Sequence, residues 1–304
     1  MIRIGSRGSK LAMAQTSWVK EQLLALQPSA DVEIRVIRTS ADLDTTTSLR
    51  AAGSTGVFVR ELEEALLAGE IDLAVHSMKD LPTRLPDGLS IAAVPVREDV
   101  RDAVAAGMPL SGFCDLPAGA AVGTGSLRRA AQLLAQRPDL RIKDIRGNVD
   151  TRLAKLDRGD YDAVILACAG LNRLGLAGRI RCAIDAGVML PAPGQGALAL
   201  ETRGDDLALR ERLSPLHDVP TAIAVSAERE FLRAMGGGCN TPIGVLASWT
   251  GDSLRLDAVA SLPDGSNLVR DRTECPPDRA ADAASDLAQS ILRKAGSSLL
   301  AYLR

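Results

Sequence analysis

Apolar and polar positions along the chain fall into short blocks whose period switches between two and about 3.6, as when strands alternate with helices. Residues 2–5 read as a short strand. Ser9 stands where a helix N-cap belongs. The helix after it, to about Leu26, places Leu11, Trp18 and Leu23 on its apolar side before Pro28 closes the element. In DVEIRVIR, Val32, Ile34 and Val36 alternate as in a strand. The order strand, glycine turn, serine cap, helix, proline, strand then returns over residues 122–146, VGTGSLRRAAQLLAQRPDLRIKDIR. Ser9 and Gln15 are spaced as Ser126 and Gln132 are. Further on, LLAGEIDLAVHS is echoed by LDRGDYDAVILA, with Gly69 against Gly159 and Asp72 against Asp162. Each predicts a helix ended by glycine and an acidic turn into an apolar strand. The pattern predicts two similar α/β units, about residues 1–95 and 100–190, each with helices on a mostly parallel sheet.

The last part follows another rule. A helix is predicted from about Val219 to Met235, then the loop GGGCNTPIG, then three short strands in IGVLAS, SLRLDAVA and SNLVRD. A final Ala/Leu-rich helix is predicted to run to about Leu303. Strands grouped in this way predict an α+β module.

Composition narrows the chemistry. With aromatic residues at 2%, the core must be filled by Leu, Val, Ile and Ala, and the stacking platforms of a single-stranded nucleic-acid surface are missing. A net charge of −2 steers nothing by itself, so an anion site has to come from local clustering of Arg and Lys. The five cysteines, Cys114, Cys168, Cys182, Cys239 and Cys275, include no C-x-x-C pair and are odd in number. That pattern suggests neither a zinc site nor a disulfide framework, and no metal is expected. No apolar signal region and no run long enough to span a bilayer is read, so a cytoplasmic address is expected, where free thiols persist.

Four groups of residues could carry chemistry. SRGSK and GTGSLRR each put backbone N–H groups, a hydroxyl and cationic side chains at a helix N-terminus, a combination that binds carboxylate or phosphate. Arg7, Arg128, Arg129, Arg146 and Arg173 sit at or just after strand ends, and Arg152 about one turn into the helix that follows, near where open α/β sheets bind ligands. Guanidinium forks suit carboxylates, and the set points to a ligand with several negative groups. In VHSMKDLP, Lys79 and Asp80 follow an apolar strand; a carboxylate there can stabilise a cation or exchange a proton. Capping and a structural turn remain simpler readings of single members of these groups. His76 is as consistent with packing as with function, and His217 has no supporting motif. Cys239 lies in a glycine-rich loop without a recognisable histidine partner, which suits a covalent anchor better than a hydrolytic nucleophile.

Four motifs, SRGSKLAMAQ, VHSMKDLP, GTGSLRR with RGNVDTRL, and GGGCNTPIG, resemble those of the hydroxymethylbilane synthase (porphobilinogen deaminase) family, as does PAPGQGALALE at residues 191–201. The resemblance runs over essentially the whole chain in the same order. It implies two lobes like those of periplasmic binding proteins with a cleft between them: lobe 1 from residues 1–96 and 197–215, lobe 2 from 100–191. It also implies a C-terminal α+β domain, 219–304, carrying the cysteine loop. The implied activity joins four porphobilinogen molecules head to tail on a dipyrromethane cofactor, releases ammonia, and frees hydroxymethylbilane by hydrolysis with water. The resemblance implies that Cys239 holds the cofactor by a thioether and that Asp80 is the catalytic aspartate. Lys79, Asp80, Thr124, Ser126, Arg128, Arg129, Arg146, Gly147 and Arg152 are implied to bind the cofactor, and Arg7, Ser9, Gln15, Arg146, Arg152 and Arg173 the substrate. A monomer acting without nucleic acid or membrane is expected.

One departure stands out. Thr55 in AAGSTGVFVREL replaces a lysine usual in the family, with Arg50 and Arg60 near it in sequence; residues 42–57 resemble the family's mobile loop. Two competing readings predict different behaviour. A two-lobed anion-binding protein would need neither Asp80 nor Cys239, and a cysteine hydrolase would have a low-pKa thiol open to alkylation.

Overall fold

A computed structural model describes residues 1–37, 59–236 and 241–303. Their elements run β1 (Ile2–Ser6), α1 (Lys10–Leu26), β2 (Val32–Val36), α2 (Arg60–Leu67), β3 (Leu73–Ser77), β4 (Leu89–Ala93), β5 (Asp102–Ala106), β6 (Ala121–Gly123), α3 (Leu127–Gln136), β7 (Arg141–Lys143), α4 (Val149–Asp157), β8 (Ala163–Ala167), α5 (Cys168–Arg173), β9 (Cys182–Ile184), β10 (Leu198–Arg203), α6 (Leu207–Leu213), α7 (Val219–Ala234), β11 (Ile243–Thr250), β12 (Ser253–Ala260), β13 (Val269–Cys275), α8 (Ala280–Lys294) and α9 (Ser297–Leu303). The chain divides into two units, Met1–Glu98 with Ala197–Ala222 and Asp99–Gly196 with Ile223–Arg304. Cys239 and the segment 42–57, with Thr55 and Arg50, lie outside the described residues.

The sheet of unit 1 has the order β2-β1-β3-β10-β4 and that of unit 2 the order β7-β6-β8-β5-β9. In the first, β2, β1 and β3 pair in parallel, while β10 runs antiparallel between β3 and β4. In the second, β7, β6 and β8 pair in parallel, and β5 runs antiparallel between β8 and β9. Each sheet is therefore mostly parallel in direction, with a single reversed strand in the fourth place. That strand arrives late in the chain for unit 1 and early for unit 2.

The sequence echo has a structural counterpart. Ser9 accepts a hydrogen bond from Ala12 N at the start of α1, and Ser126 accepts one from Arg129 N at the start of α3. Gly69 and Gly159 take the positive φ values, 68° and 81°, that end a helix without Cβ strain. The backbone N of Asp72 donates to Arg3 O (2.8 Å) and its carboxylate accepts from Arg3 N (2.9 Å). Asp162 makes the same pair of bonds with Ala121, at 2.9 and 2.7 Å. The aspartate before the third strand thus ties it to the first, in both units.

Both faces of each sheet are covered, which is why the central strands are apolar without alternation. In unit 2, Val104, Ala106, Ala163 and Ile165 pack with Leu133 of α3. Ala103, Ala105, Val164 and Leu166 face the other way, with Leu153, Leu156 and Leu171. The C-terminal sheet β11-β12-β13 is antiparallel and packs with α7, α8 and α9 around Phe231, Leu256, Leu287 and Ile291.

Some sequence expectations differ in detail. Trp18 is exposed, and α1 buries Gln15, Thr16, Val19 and Leu23 instead. Two of those are polar because the helix covers the hydroxyl-rich end of β1, where Thr16 Oγ1 donates to Ser6 Oγ at 2.9 Å. Val36 is exposed because β2 is the edge strand. The C-terminal helix is broken at Ala295, whose ψ of 130° is extended, so α8 and α9 are separate. The third strand of the module begins at Val269 and reaches Cys275, later than SNLVRD suggests.

Asp72 also receives Arg3 Nη2 at 2.6 Å and Arg203 Nη2 at 3.3 Å. Burial opposes its charge, but these hydrogen bonds and the Arg3 charge prevail and hold the carboxyl at about 2. A carboxyl depressed in the fold stabilises above its unfolded value, near 3.9, and loses that contribution as pH falls through the folded value. Asp72→Asn is expected to lower stability by about 1–2 kcal/mol at neutral pH. Thermal unfolding from pH 7 to pH 2 checks this: the gap to wild type should narrow below pH 4, and a constant gap would contradict it.

Candidate functional site

The predicted residues that the structure describes lie at the C-terminal edges of the two parallel strand sets. In unit 1, β1 and β3 are adjacent and parallel, so Arg7 and the turn after Ser77 emerge on the same edge. That turn, Met78–Asp80, is a single 3-10 turn. Met78 and Leu81 are buried on either side, Met78 N donates to Ala197 O (3.0 Å), and Leu81 N donates to Met78 O (3.2 Å). With both ends pinned, Lys79 and Asp80 are turned outwards and half-buried. Gln15 is buried on α1, and its Nε2 donates to Ser77 Oγ at 2.9 Å, anchoring the helix to the strand end that leads to Asp80. Ser9 serves as the α1 cap. His76 is buried in β3, with Nε2 2.9 Å from Glu201 of β10. His217 accepts from Val94 N through Nδ1 at 3.2 Å.

In unit 2 the same edge carries Thr124, Ser126, Arg128 and Arg129 after β6, Arg146, Gly147 and Arg152 after β7, and Arg173 at the end of α5 after β8. Thr124 is buried and its Oγ1 accepts from Ser126 N at 3.1 Å, shaping the turn into α3. Arg146 Nε donates to Asp144 at 3.0 Å, Arg152 Nε to Gly147 O at 2.7 Å, and Arg173 Nη2 to Gly196 O at 2.7 Å. Gly147 has a φ of 103°, and an added Cβ would lie 2.7 Å from Thr151 Cγ2. Only glycine allows this bend, which turns its carbonyl to Arg152.

Arg128 and Arg129 are not surface arms. Both are more than nine-tenths buried, and both converge on Asp102, which has no exposure. Arg128 Nη1 donates to Asp102 Oδ2 (2.6 Å) and to Leu190 O (2.8 Å). Arg129 Nε donates to Asp102 Oδ1 (2.9 Å), and its Nη1 to Ile165 O (3.1 Å). Gln195 Nε2 adds a bond to Asp102 at 3.0 Å. Burial works against the Asp102 charge, but the two guanidiniums outweigh it and hold the carboxyl well below the usual range. Burial also pulls Arg128 down from its ordinary value, with Asp102 opposing. Arginine keeps its charge in such settings, so one carboxylate against two guanidiniums leaves the cluster net positive.

Asp102, Gln132, Leu190 O and Gln195 surround the arginine pair and were not among the predicted site residues. The signal was present for Asp102: a lone carboxylate opening the apolar strand DAVAA must have a buried partner. Among the described residues no group of His, Cys, Asp and Glu could hold a metal. A cavity of about 520 Å3 in unit 2 has Leu246, Arg255, Arg270 and Arg272 in its wall and includes none of the predicted site residues. Cys168 is fully buried, and burial pushes its thiol up to about 12.

Replacing Asp102 with Asn leaves two buried guanidiniums without their counterion. The expected cost is about 3–5 kcal/mol, read as loss of soluble protein or a large fall in the unfolding temperature of unit 2. Because the folded carboxyl is depressed, the stabilisation is full above its unfolded value and persists well below pH 4. A near-neutral Asp102→Asn would contradict this electrostatic reading.

Comparison with known proteins bears on these edges. Residues 2–211 match a family model described as porphobilinogen deaminase, dipyromethane cofactor binding domain, and residues 222–294 match the porphobilinogen deaminase C-terminal domain. The chain is 49% identical over 306 residues to porphobilinogen deaminase of Thermus thermophilus, covering 100% of this chain and 99% of that one. It is 48% identical over 303 residues to porphobilinogen deaminase of Desulforudis audaxviator, covering 99% and 97%. Among solved structures it is similar to the periplasmic VFT2 domain of BvgS from Bordetella pertussis, with 22% identity, coverage of 70% and 84%, and a TM-score of 0.40.

Proposed function

Because the chain belongs to the porphobilinogen deaminase family, whose substrate is porphobilinogen and whose cofactor is dipyrromethane, we propose that the residues gathered at its two sheet edges divide the work of this transferase. The observation that carries the division is the net positive cluster of Arg128, Arg129 and Asp102 at the start of α3. The residues fit the cofactor, because every pyrrole of the chain bears acetate and propionate carboxylates. Those carboxylates match guanidinium forks and the N–H groups of a capped helix start.

In this reading Thr124, Ser126, Arg128, Arg129, Arg146, Gly147 and Arg152 hold carboxylates of the cofactor and growing chain. Arg7, Ser9, Gln15 and Arg173 receive the incoming substrate, with Arg146 and Arg152 shared. Gln15 acts through Ser77, since that is where its amide is held. Cys239 is the attachment point, and when bound there the dipyrromethane supplies the ring carbon to which the first substrate joins. Lys79 lies beside Asp80 as a further carboxylate partner.

Asp80 does the chemical work. As ammonia leaves porphobilinogen, positive charge develops on the substrate and is shared with the pyrrole N–H. A fixed carboxylate at that N–H lowers the energy of the charged state without having to reorient. The pinned turn supplies that fixity. After four additions, water completes the release of hydroxymethylbilane. The four described cysteines are free thiols, which suits a reducing cytoplasm, and no described helix is long and apolar enough to cross a membrane. We read the enzyme as a monomer that uses neither nucleic acid nor membrane.

Asp80→Asn keeps the shape and removes the charge. Its kcat for porphobilinogen consumption should fall about 100- to 1000-fold, with KM changed only a few-fold because binding rests on the arginines. Asp80→Glu should retain more activity than Asp80→Asn. Steady-state ammonia release checks both, and an unchanged kcat in Asp80→Asn would overturn the assignment.

A further inference from the structure

Gln132 and Arg270 stand outside the carboxylate-binding set, yet both belong to its hydrogen-bond network. Gln132 is buried on α3, one turn beyond Arg128. Its side-chain amide grips a single residue of the 187–190 segment from both sides. Leu190 N donates to Gln132 Oε1 at 2.8 Å, and Gln132 Nε2 donates to Leu190 O at 3.0 Å. The same Leu190 O takes Arg128 Nη1 at 2.8 Å, and that nitrogen also reaches Asp102 at 2.6 Å. From the other direction, Arg270 on β13 donates Nη1 to Gly187 O (2.6 Å) and Nη2 to Val188 O (2.6 Å). Its Nη2 also reaches Gln132 Oε1 at 3.3 Å. The C-terminal module touches α3 a second time at the turn containing Gly265. Its φ is 83°, and an added Cβ there would meet Ala131 O and Ala135 N at 2.6 Å.

We propose that Arg270 and Gln132 are positioning residues for the carboxylate-binding arginine pair. The C-terminal sheet fixes Gln132 through Arg270, Gln132 fixes the Leu190 peptide, and the Leu190 carbonyl fixes Arg128. This rests on the reading that Arg128 holds carboxylates. The device uses the two ends of the amide at 132: its oxygen accepts from Leu190 N while its nitrogen donates to Leu190 O. Without the Leu190 carbonyl in place, Arg128 keeps Asp102 but loses the second acceptor that sets the plane of its guanidinium. A planar fork serves a carboxylate only when aimed. Unit 1 uses the corresponding helix position alike: Gln15, spaced from Ser9 as Gln132 is from Ser126, holds Ser77 ahead of Asp80. The relay makes the module that bears the Cys239 loop part of the aiming of the arginines that receive its load.

Three holoenzymes, wild type, Arg270→Ala and Gln132→Met, test this. Each is measured for the fraction of chains carrying added dipyrrole mass, for KM and kcat with porphobilinogen, and for unfolding temperature. The relay predicts that both variants raise KM about 10-fold, with kcat within about 3-fold, as loss of uniform binding does. Both should also lower the loaded fraction when porphobilinogen is limiting. In an Arg128→Lys background, the effect of Arg270→Ala on KM should shrink below about 2-fold, because linked residues are not additive. A lower unfolding temperature with unchanged KM and loading would overturn the proposal, as would effects that multiply independently in the double variant. If Arg270→Ala does not fold, Gln132→Met, alone and in the Arg128→Lys background, decides by the same criteria. Wild type separates the two levels: if it carries no added mass and consumes no porphobilinogen, the functional reading fails, and the relay with it.

Discussion

Asp102 has no contact with solvent, and the two guanidiniums beside it have almost none. A buried carboxylate without counter-charge would cost several kcal/mol, and so would either buried arginine, so the three residues require one another. Arg128 and Arg129 are held by the first turn of α3, whose position is set by the Ser126 cap and the turn through Thr124. Asp102 opens the reversed strand β5 opposite the end of β8, where Asp102 pairs in register with Ala167. The ion cluster thereby fastens the reversed strand to the parallel set at the edge where ligands bind in open α/β sheets. It fastens them with an excess of positive charge. An edge built in this way is stable before any ligand arrives and keeps a positive excess that suits the proposed carboxylate ligands.

The duplicated architecture lets the two proposed tasks use one plan. In both units the first strand leads to a serine-capped helix, the third strand is tied to the first by an aspartate, and a reversed strand lies beyond it. The two units differ in when the reversed strand enters the chain and in the residues at their strand ends. Unit 1 has Lys79 and Asp80 there, on a turn held by buried Met78 and Leu81. Unit 2 has guanidiniums. In the proposed reaction, a carboxylate among cations on one edge and guanidiniums on the other suit a cation that develops on a substrate that is itself a dicarboxylate.

The repeat was legible in the sequence because its punctuation is local: a glycine at positive φ, a serine cap and an aspartate before a strand each carry their own physical demand. The mostly parallel sheets and the α+β character of the C-terminal module followed from the same periodicities. Trp18 misled because aromatic bulk implies burial, whereas α1 turns Gln15 and Thr16 inwards to meet hydroxyls at strand ends. The break between α8 and α9 was hidden by continuous Ala/Leu composition. At the site, the motifs located Arg128 and Arg129, but periodicity gave no account of where their guanidiniums end. Their partner Asp102 lies 26 residues away in sequence from Arg128 and meets it only through sheet order. The Leu190 carbonyl, as a backbone group, has no signature at all.

The proposed role of the arginine-rich edge depends on a carboxylate-bearing group carried covalently at Cys239. Intact-protein mass spectrometry of the purified wild type beside Cys239→Ser tests it most directly. The wild-type mass should exceed the sequence mass by two linked pyrrole units, and the variant should be unmodified. A wild-type chain that stays at its sequence mass even after incubation with porphobilinogen would contradict it.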